Sequence, residues 1–359
     1  MYAASAQRYE FLFDRETEGD RLDQRAVGFQ RTKAVRAGRM LYIACFPVWN
    51  TRKMSERAKG APKNAKAIED VNRRNRKIKF EQLVEENFGK EDFYFTATYT
   101  EAPHGNRKMT EADYEGEPQN EREAQANVRK FVRALRAMVK RKGGDAKKLR
   151  YVYVTEETWS RHPDPEWVQA RYHHHMLIGS AVGTDRDGRE VRLTRDEIED
   201  LWQSMPFCGG RTRCDRLQPD RKSGLAGVAN YFMKGDVREI GKKEQRKRHR
   251  FACSKNLKRP RERTADHKIS RRKVQRLAED VRANAKDILE GMYPGYELAE
   301  DAKVKLSNYV EGAYIYAKMV RRDEVEQSGR AAGKRAGGDG ERGTAGAVSV
   351  GGVQSGEVS

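Results

Sequence analysis

Arg171-Tyr172-His173-His174-His175-Met176-Leu177-Ile178 gathers three of the chain's seven histidines into a run whose apolar end reads as a buried strand. Successive side chains of a strand leave opposite faces, so His173 and His175 share one face while His174 takes the other. Two imidazoles side by side on a rigid strand can chelate one metal ion. Around such a strand the neighbouring segments must supply the rest of a sheet.

They read that way in both directions. Tyr151 to Glu157 (YVYVTEE) is a second strand, and the turn-rich link through Pro163 and Pro165 makes a hairpin with the histidine strand. Antiparallel pairing then brings Glu156 near the imidazoles, with Glu157 as its rival, since alternation sends one of the two to the wrong face. Phe93 to Thr100 (FYFTATYT) is a further strand. A helix spans about Asn120 to Lys142, capped by Asn120 and Glu123 and stopped by Gly143-Gly144. Downstream, Thr194 and Glu197 open a helix that turns Ile198, Leu201, Trp202 and Met205 inward; Arg211 to Leu217 is a strand and Gly224 to Lys234 a helix. This order predicts an α+β fold, with helices packed on one face of a mainly antiparallel sheet.

The flanks carry less signal. Residues 1–60 alternate charged clusters with one apolar run, Met40 to Trp49, and receive no assigned task beyond an extension packed on the neighbouring domain. A helix is expected over Ala65 to Phe88, with Phe80, Leu83, Val84 and Phe88 on its stripe and Arg73, Arg74, Arg76 and Lys77 in its first half, a face suited to phosphates or simply to solvent. Helices are also expected over about Arg271 to Glu290 and Glu300 to Arg321. The resulting division is 1–90, an N-terminal extension with a basic helix; 91–260, the sheet domain; 261–325, a helical C-terminal region; and 326–359, a Gly- and Ser-rich disordered tail.

Composition narrows the class. With 35% charged residues and a net charge of +19 in 359 residues, a polyanionic partner is expected, nucleic acid before membrane. The Met40 to Trp49 run is about half the length of a membrane span, and no leader is apparent at the N-terminus. Four cysteines make no disulfide framework, which fits a reducing cytoplasm. Cys208 and Cys214 lack the second pair of a zinc site. Gly329 to Lys334 (GRAAGK) is one residue short of a phosphate loop, so no ATP is expected.

Two imidazoles and a carboxylate leave coordination positions open for a phosphate oxygen, and Mg or Mn is the usual ion for that chemistry. In the helix carrying Leu225, Val228, Ala229 and Phe232 on its buried stripe, Tyr231 and Lys234 fall together on the far side. A tyrosine held out of the core beside a lysine is a candidate nucleophile; its phenol, titrating near pH ~10, needs a cationic environment to attack at neutral pH.

In this order, His-x-His followed by Tyr-x-x-Lys resembles the HUH endonucleases, and more closely the rolling-circle replication initiators of single-stranded DNA phages, plasmids and integrated elements. The likeness covers FTATYT, YVYVTE, RYHHHMLI, GVANYFMKG, Ser254 to Pro260, Tyr293-Pro-Gly-Tyr296 and Gly312 to Met319, with His174 replacing the usual aliphatic middle residue. It implies a ferredoxin-like or RRM-like sheet with a helical C-terminal extension. His173, His175 and Glu156 would hold the ion, Tyr231 would attack a scissile phosphodiester, and Lys234 would steady the phosphate or the ion. The product would be a 5′-phosphotyrosine with a free 3′-hydroxyl, made on single-stranded DNA or an origin hairpin in a bacterial cytoplasm, with host helicase and polymerase. Backbone contacts are expected from the basic stretch containing Arg248, Arg250, Lys255, Asn256, Lys258 and Arg259. Conjugative relaxases and single-strand transposases share this chemistry; a nucleic-acid-binding protein without catalysis is the reading from another class.

Overall fold

A computed structural model describes residues 27–49, 65–99, 116–159, 170–207, 210–233, 238–240, 243–245, 251–306 and 313–322. In chain order the elements are β1 (Val27–Ala37), β2 (Met40–Trp49), α1 (Ala65–Asn87), β3 (Phe93–Thr98), α2 (Glu121–Arg141), β4 (Tyr151–Trp159) and β5 (Ala170–Ile178). There follow β6 (Ala181–Thr184), β7 (Glu190–Arg192), α3 (Arg195–Gln203), β8 (Thr212–Arg216), α4 (Ala226–Phe232), β9 (Arg238–Ile240), β10 (Lys243–Gln245) and β11 (Ala252–Cys253). The chain continues with β12 (Arg261–Asp266), α5 (Arg271–Glu279), α6 (Val281–Ala285) running into a π-helical turn at Lys286–Glu290, β13 (Tyr296–Leu298), β14 (Lys303–Leu306) and β15 (Ala313–Arg321). Among the described residues every strand pairing is antiparallel, so the class is α+β.

The histidine strand lies at the centre of the first sheet, in the order β11-β4-β5-β3-β8. Its local signals form as read. The Asn120 side chain accepts from Glu123 N at 3.0 Å to cap α2, and Thr194 and Glu197 close a capping box on α3. Helices cover both faces of this sheet, not one. On one face Phe93, Phe95, Tyr172, Met176 and Ile178 pack with α2 and α3, where Phe131 and Trp202 are fully buried. On the other, Val152, Val154 and Leu177 pack beneath α1 and α4 through Phe80, Val84, Ala229 and Phe232. The expectation of one covered face failed because the apolar stripe of the short helix α4 was not matched to an apolar face of the strands.

A second sheet was not foreseen. Its order is β12-β1-β2-β15-β13, with β14 also pairing to β15. The apolar run Met40 to Trp49 is its central strand β2, and a strand covered on both faces reads as continuous apolar sequence, without alternation. The helix expected over Glu300 to Arg321 is replaced by β14 and β15 for the same reason: Ala313, Ile315, Ala317 and Met319 face one core while Tyr314 and Val320 face another. The helix expected before it is present as α5, α6 and the π-helical turn. The tail after Arg322 lies outside the described residues.

Helix α1 is the layer shared by the two sheets. Its apolar stripe faces the first, while its polar side is buried against the second: Tyr42 donates to Glu81 Oε1 at 2.9 Å and Lys318 Nζ lies 2.7 Å from the same oxygen. One turn on, the buried Glu85 carboxylate accepts from the N–H of Leu225, the residue capping α4, whose own side chain offers no cap. Burial pushes Glu85 up to about 7, and the charge of Glu81 adds to it, against the Leu225 N–H. Between the ordinary carboxylate range and pH 7 the folded chain therefore holds a proton that the unfolded chain has lost, so stability falls as pH rises through that window. Glu85→Gln mimics the protonated acid. Urea unfolding is expected to show it close to wild type near pH 5 and more stable by about 1–3 kcal/mol near pH 8; equal loss at both pH values would mean that the charge itself is required.

Candidate metal and tyrosine site

The site is set by strand parity. Glu156 of β4 lies opposite His173 of β5, and Thr96 of β3 opposite His175, so these side chains emerge on the face covered by α1 and α4. Glu157 pairs with Tyr172 and belongs to the opposite face, which separates the two glutamates that the sequence left open. The Glu156 Oε2 atom lies 3.3 Å from His173 Nε2 and 3.9 Å from His175 Nε2. One ligand atom from each of the three residues falls within 4.8 Å of the others. Donors bound about 2.1 Å from a single ion sit roughly 3.0–3.5 Å apart, so small rotations of these side chains would close them on a divalent cation. Two nitrogens and one oxygen fit such an ion and leave further positions open.

His174 is excluded from this set. Fully buried, it meets the Tyr99 hydroxyl at 2.7 Å through Nε2 and the Thr155 hydroxyl at 3.1 Å through Nδ1, edge-on to Trp202. It fills the α2/α3 side of the sheet, and both ring nitrogens are engaged there.

Two residues that the sequence reading did not single out complete the site. The Tyr94 hydroxyl lies 2.8 Å and the Thr96 hydroxyl 3.1 Å from His175 Nδ1. With the proton on Nδ1 and shared between those oxygens, the Nε2 lone pair faces Glu156 and Tyr231. Burial lowers His175 to about 4, the neighbouring His173 adding to the effect, so this imidazole stays neutral and open to a cation at neutral pH. Burial raises Tyr94 to about 12, and it remains a neutral phenol. The signal was present in Phe93-Tyr-Phe-Thr-Ala-Thr98, whose alternation buries Phe93, Phe95 and Ala97 and sends Tyr94 and Thr96 to the other face. Tyr94→Phe is expected to weaken Mn²⁺ binding about tenfold or more by titration calorimetry, since an outer partner that orients a ligand imidazole typically carries that much; unchanged affinity would remove Tyr94 from the site.

The tyrosine comes from α4. Glu85 meets the start of that helix, while Phe80 of α1 stacks on Phe232 at its end, 5.8 Å between ring centroids. Tyr231, beside Phe232, is 41% exposed, and among the described residues no other large apolar side chain is left so open. Its hydroxyl lies 3.3 Å from His175 Nε2, with the rings edge-to-face at 4.8 Å. Burial and then the charge of Glu156 raise its phenol above the ordinary range. A divalent cation held by Glu156 would cancel the second of these effects and favour the phenolate.

Comparison with family models, with curated proteins and with solved structures gave no match to this chain. The site therefore stands on its own geometry.

Of the remaining sequence-derived residues, Lys234, Arg248 and Arg250 lie outside the described residues. Lys255, Lys258 and Arg259 are exposed, whereas the Asn256 amide donates to Lys147 O at 2.7 Å and so staples its own loop. This loop is not beside the site. Ser254 N bonds Tyr151 O, five residues along β4 from Glu156, which at 3.3 Å per residue is about 17 Å. The basic first half of α1 lies at the other end: that helix runs past Glu85 and Phe80 antiparallel to α4, so exposed Arg76 and Lys77 extend beyond the tyrosine end. Among the described residues no helix is long and apolar enough to cross a membrane.

Proposed function

We propose that this chain is a metal-dependent strand transferase of the HUH type, which nicks and rejoins single-stranded origin DNA to start rolling-circle replication of a phage, plasmid or integrated element. The observation that carries the reading is the Tyr231 hydroxyl, exposed on its helix and 3.3 Å from an imidazole of the Glu156/His173/His175 group. A nucleophile and a cation site that close can act on one phosphodiester. An Mg²⁺ or Mn²⁺ ion there would polarise a non-bridging phosphate oxygen and offset the charge that grows on it.

The chain's own residues do the rest. Glu156 and the two imidazoles fix where the phosphate sits, Tyr94 and Thr96 hold His175 in the required tautomer, and α4 aims the phenol. In the transfer the Tyr231 oxygen–phosphorus bond forms as the bond from phosphorus to the 3′-oxygen breaks. The phenol gives up its proton and the departing 3′-oxygen takes one, so no cofactor is consumed. An aryl oxide leaves more readily than an alkoxide, so the adduct keeps enough energy for a 3′-hydroxyl to reverse the step without ATP. Host helicase and polymerase would then act at the freed 3′ end, in the cytoplasm. Relaxases and single-strand transposases run the same exchange, and which element the chain serves depends on the DNA it cuts.

The test is incubation of the full chain with labelled single-stranded origin oligonucleotides and Mn²⁺ or Mg²⁺. A protein–DNA adduct stable to denaturation, mapped to Tyr231 by mass spectrometry and lost when the ion is chelated, is the expected result. Binding without an adduct on any origin sequence or ion would leave a nucleic-acid-binding protein. Cleavage retained in the His173→Ala, His175→Ala double variant would remove the ion from the reaction.

A further inference from the structure

The block Tyr293-Pro-Gly-Tyr296 plays no part in the tyrosine site, and the second sheet gives it surroundings of its own. On the face of that sheet carrying α5, β1 presents Arg36 and its neighbour β12 presents Arg261 and Arg263, register partners of Arg36 and Ala34. Just past β12, His267 adopts a left-handed backbone, φ 61°, and the chain delivers Lys268 onto the ring of Tyr293, its Nζ 3.8 Å from the centroid. Arg36 lies over the ring of Tyr296 at 5.9 Å. On β12 itself the carboxylates take the opposite face, Glu262 pairing with Lys33 and Asp266 with Arg31. Burial lowers Lys268, and the charges of Arg36 and then Arg263 lower it further, so these cations repel one another where they meet. Helix α5 starts beside them with no acidic residue in its first turn and with Arg272 and Lys273 exposed.

Like charges gathered beside one another are relieved by a bound anion. Tyr293 is almost completely buried and Tyr296 partly so, and each ring already carries a cation, so the cluster offers charge more than a surface on which bases stack. We infer that Lys268 and Arg36, seated on Tyr293 and Tyr296, form with Arg263 of the neighbouring strand a second nucleic-acid contact that grips phosphates of the DNA backbone without reading its sequence. It rests on the reading that DNA is the partner. It also lies on the far side of the second sheet from α1, separate from the tyrosine site, so a strand held here is a different stretch from the one being cut.

The test is fluorescence anisotropy of the full chain with labelled DNA of arbitrary sequence, single strand and duplex, across a salt series and without divalent ions. Arg36→Gln with Lys268→Gln is expected to lower affinity about tenfold and to flatten the dependence of log K on log salt by about 1.5–2, the value for two lost phosphate contacts. Arg189→Gln with Arg195→Gln removes the same charge elsewhere on the surface and is expected to change neither. An unaltered slope in the first variant, or an equal change in the second, overturns the site. A loss confined to one form of DNA identifies the backbone held. Because no cleavage is read, a flattened slope in a chain that forms no adduct keeps this contact while removing the proposed reaction, and the reverse result removes only the contact.

Discussion

Tyr231→Phe is expected to abolish the DNA adduct, a loss of at least about a thousandfold on a denaturing gel, while Mn²⁺ affinity stays within about threefold of wild type. The substitution deletes one oxygen. The phenylalanine ring keeps the edge-to-face contact with His175, and with it the packing at the end of α4. The lost hydroxyl touches His175 Nε2 but is not one of the three grouped ligand atoms, so the cation site is left intact. Splitting the two readouts makes the experiment decisive. An adduct that persists points to another nucleophile, and a parallel loss of Mn²⁺ binding would make Tyr231 a structural partner of His175.

Gly38→Ala is expected to be the most damaging small substitution outside the site, destabilising the chain by about 2–5 kcal/mol and lowering the melting temperature by roughly 4–10 °C. Gly38 turns β1 into β2 with φ 53°, a region that favours glycine. A Cβ there would meet the main-chain oxygen of Glu85 at 2.2 Å, and a backbone atom inside a helix cannot swing aside. The turn is also tied to α1 by its own N–H, which donates to Glu86 Oε2 at 2.9 Å. Since Glu85 holds the start of α4, displacing this part of α1 is expected to disturb Tyr231 as well. A thermal melt within 2 °C of wild type, or about 1 kcal/mol for a chain of this size, would show the turn to be looser than the close approach implies.

The first sheet and its site were legible because their signals are local. A capped helix, an alternating strand and a hairpin each depend on residues a few positions apart, and the pairing of Glu156 with His173 follows once the hairpin is assumed. Tyr94 and Thr96 were within reach of the same alternation, but nothing in the sequence says that a hydroxyl two strands' width from a carboxylate meets Nδ1 of the imidazole between them. The second sheet was hidden for a physical reason. Its strands β2 and β15 are covered on both faces, which erases the period-two pattern, and β2 joins β15 across more than 260 residues of chain. No local rule connects segments so far apart.

By itself, then, the sequence determined which faces the histidines take, where the helices of the first sheet begin and end, and which tyrosine escapes the core, since each follows from backbone periodicity. Only the tertiary structure decided that Glu156 and not Glu157 joins the imidazoles, that α1 is shared between two sheets, that Glu85 holds the tyrosine helix, and that the Ser254 to Pro260 loop lies at the far end of the strand from the site. Those outcomes depend on register and on the packing of distant segments, where the burial of one side chain is set by another hundreds of residues away.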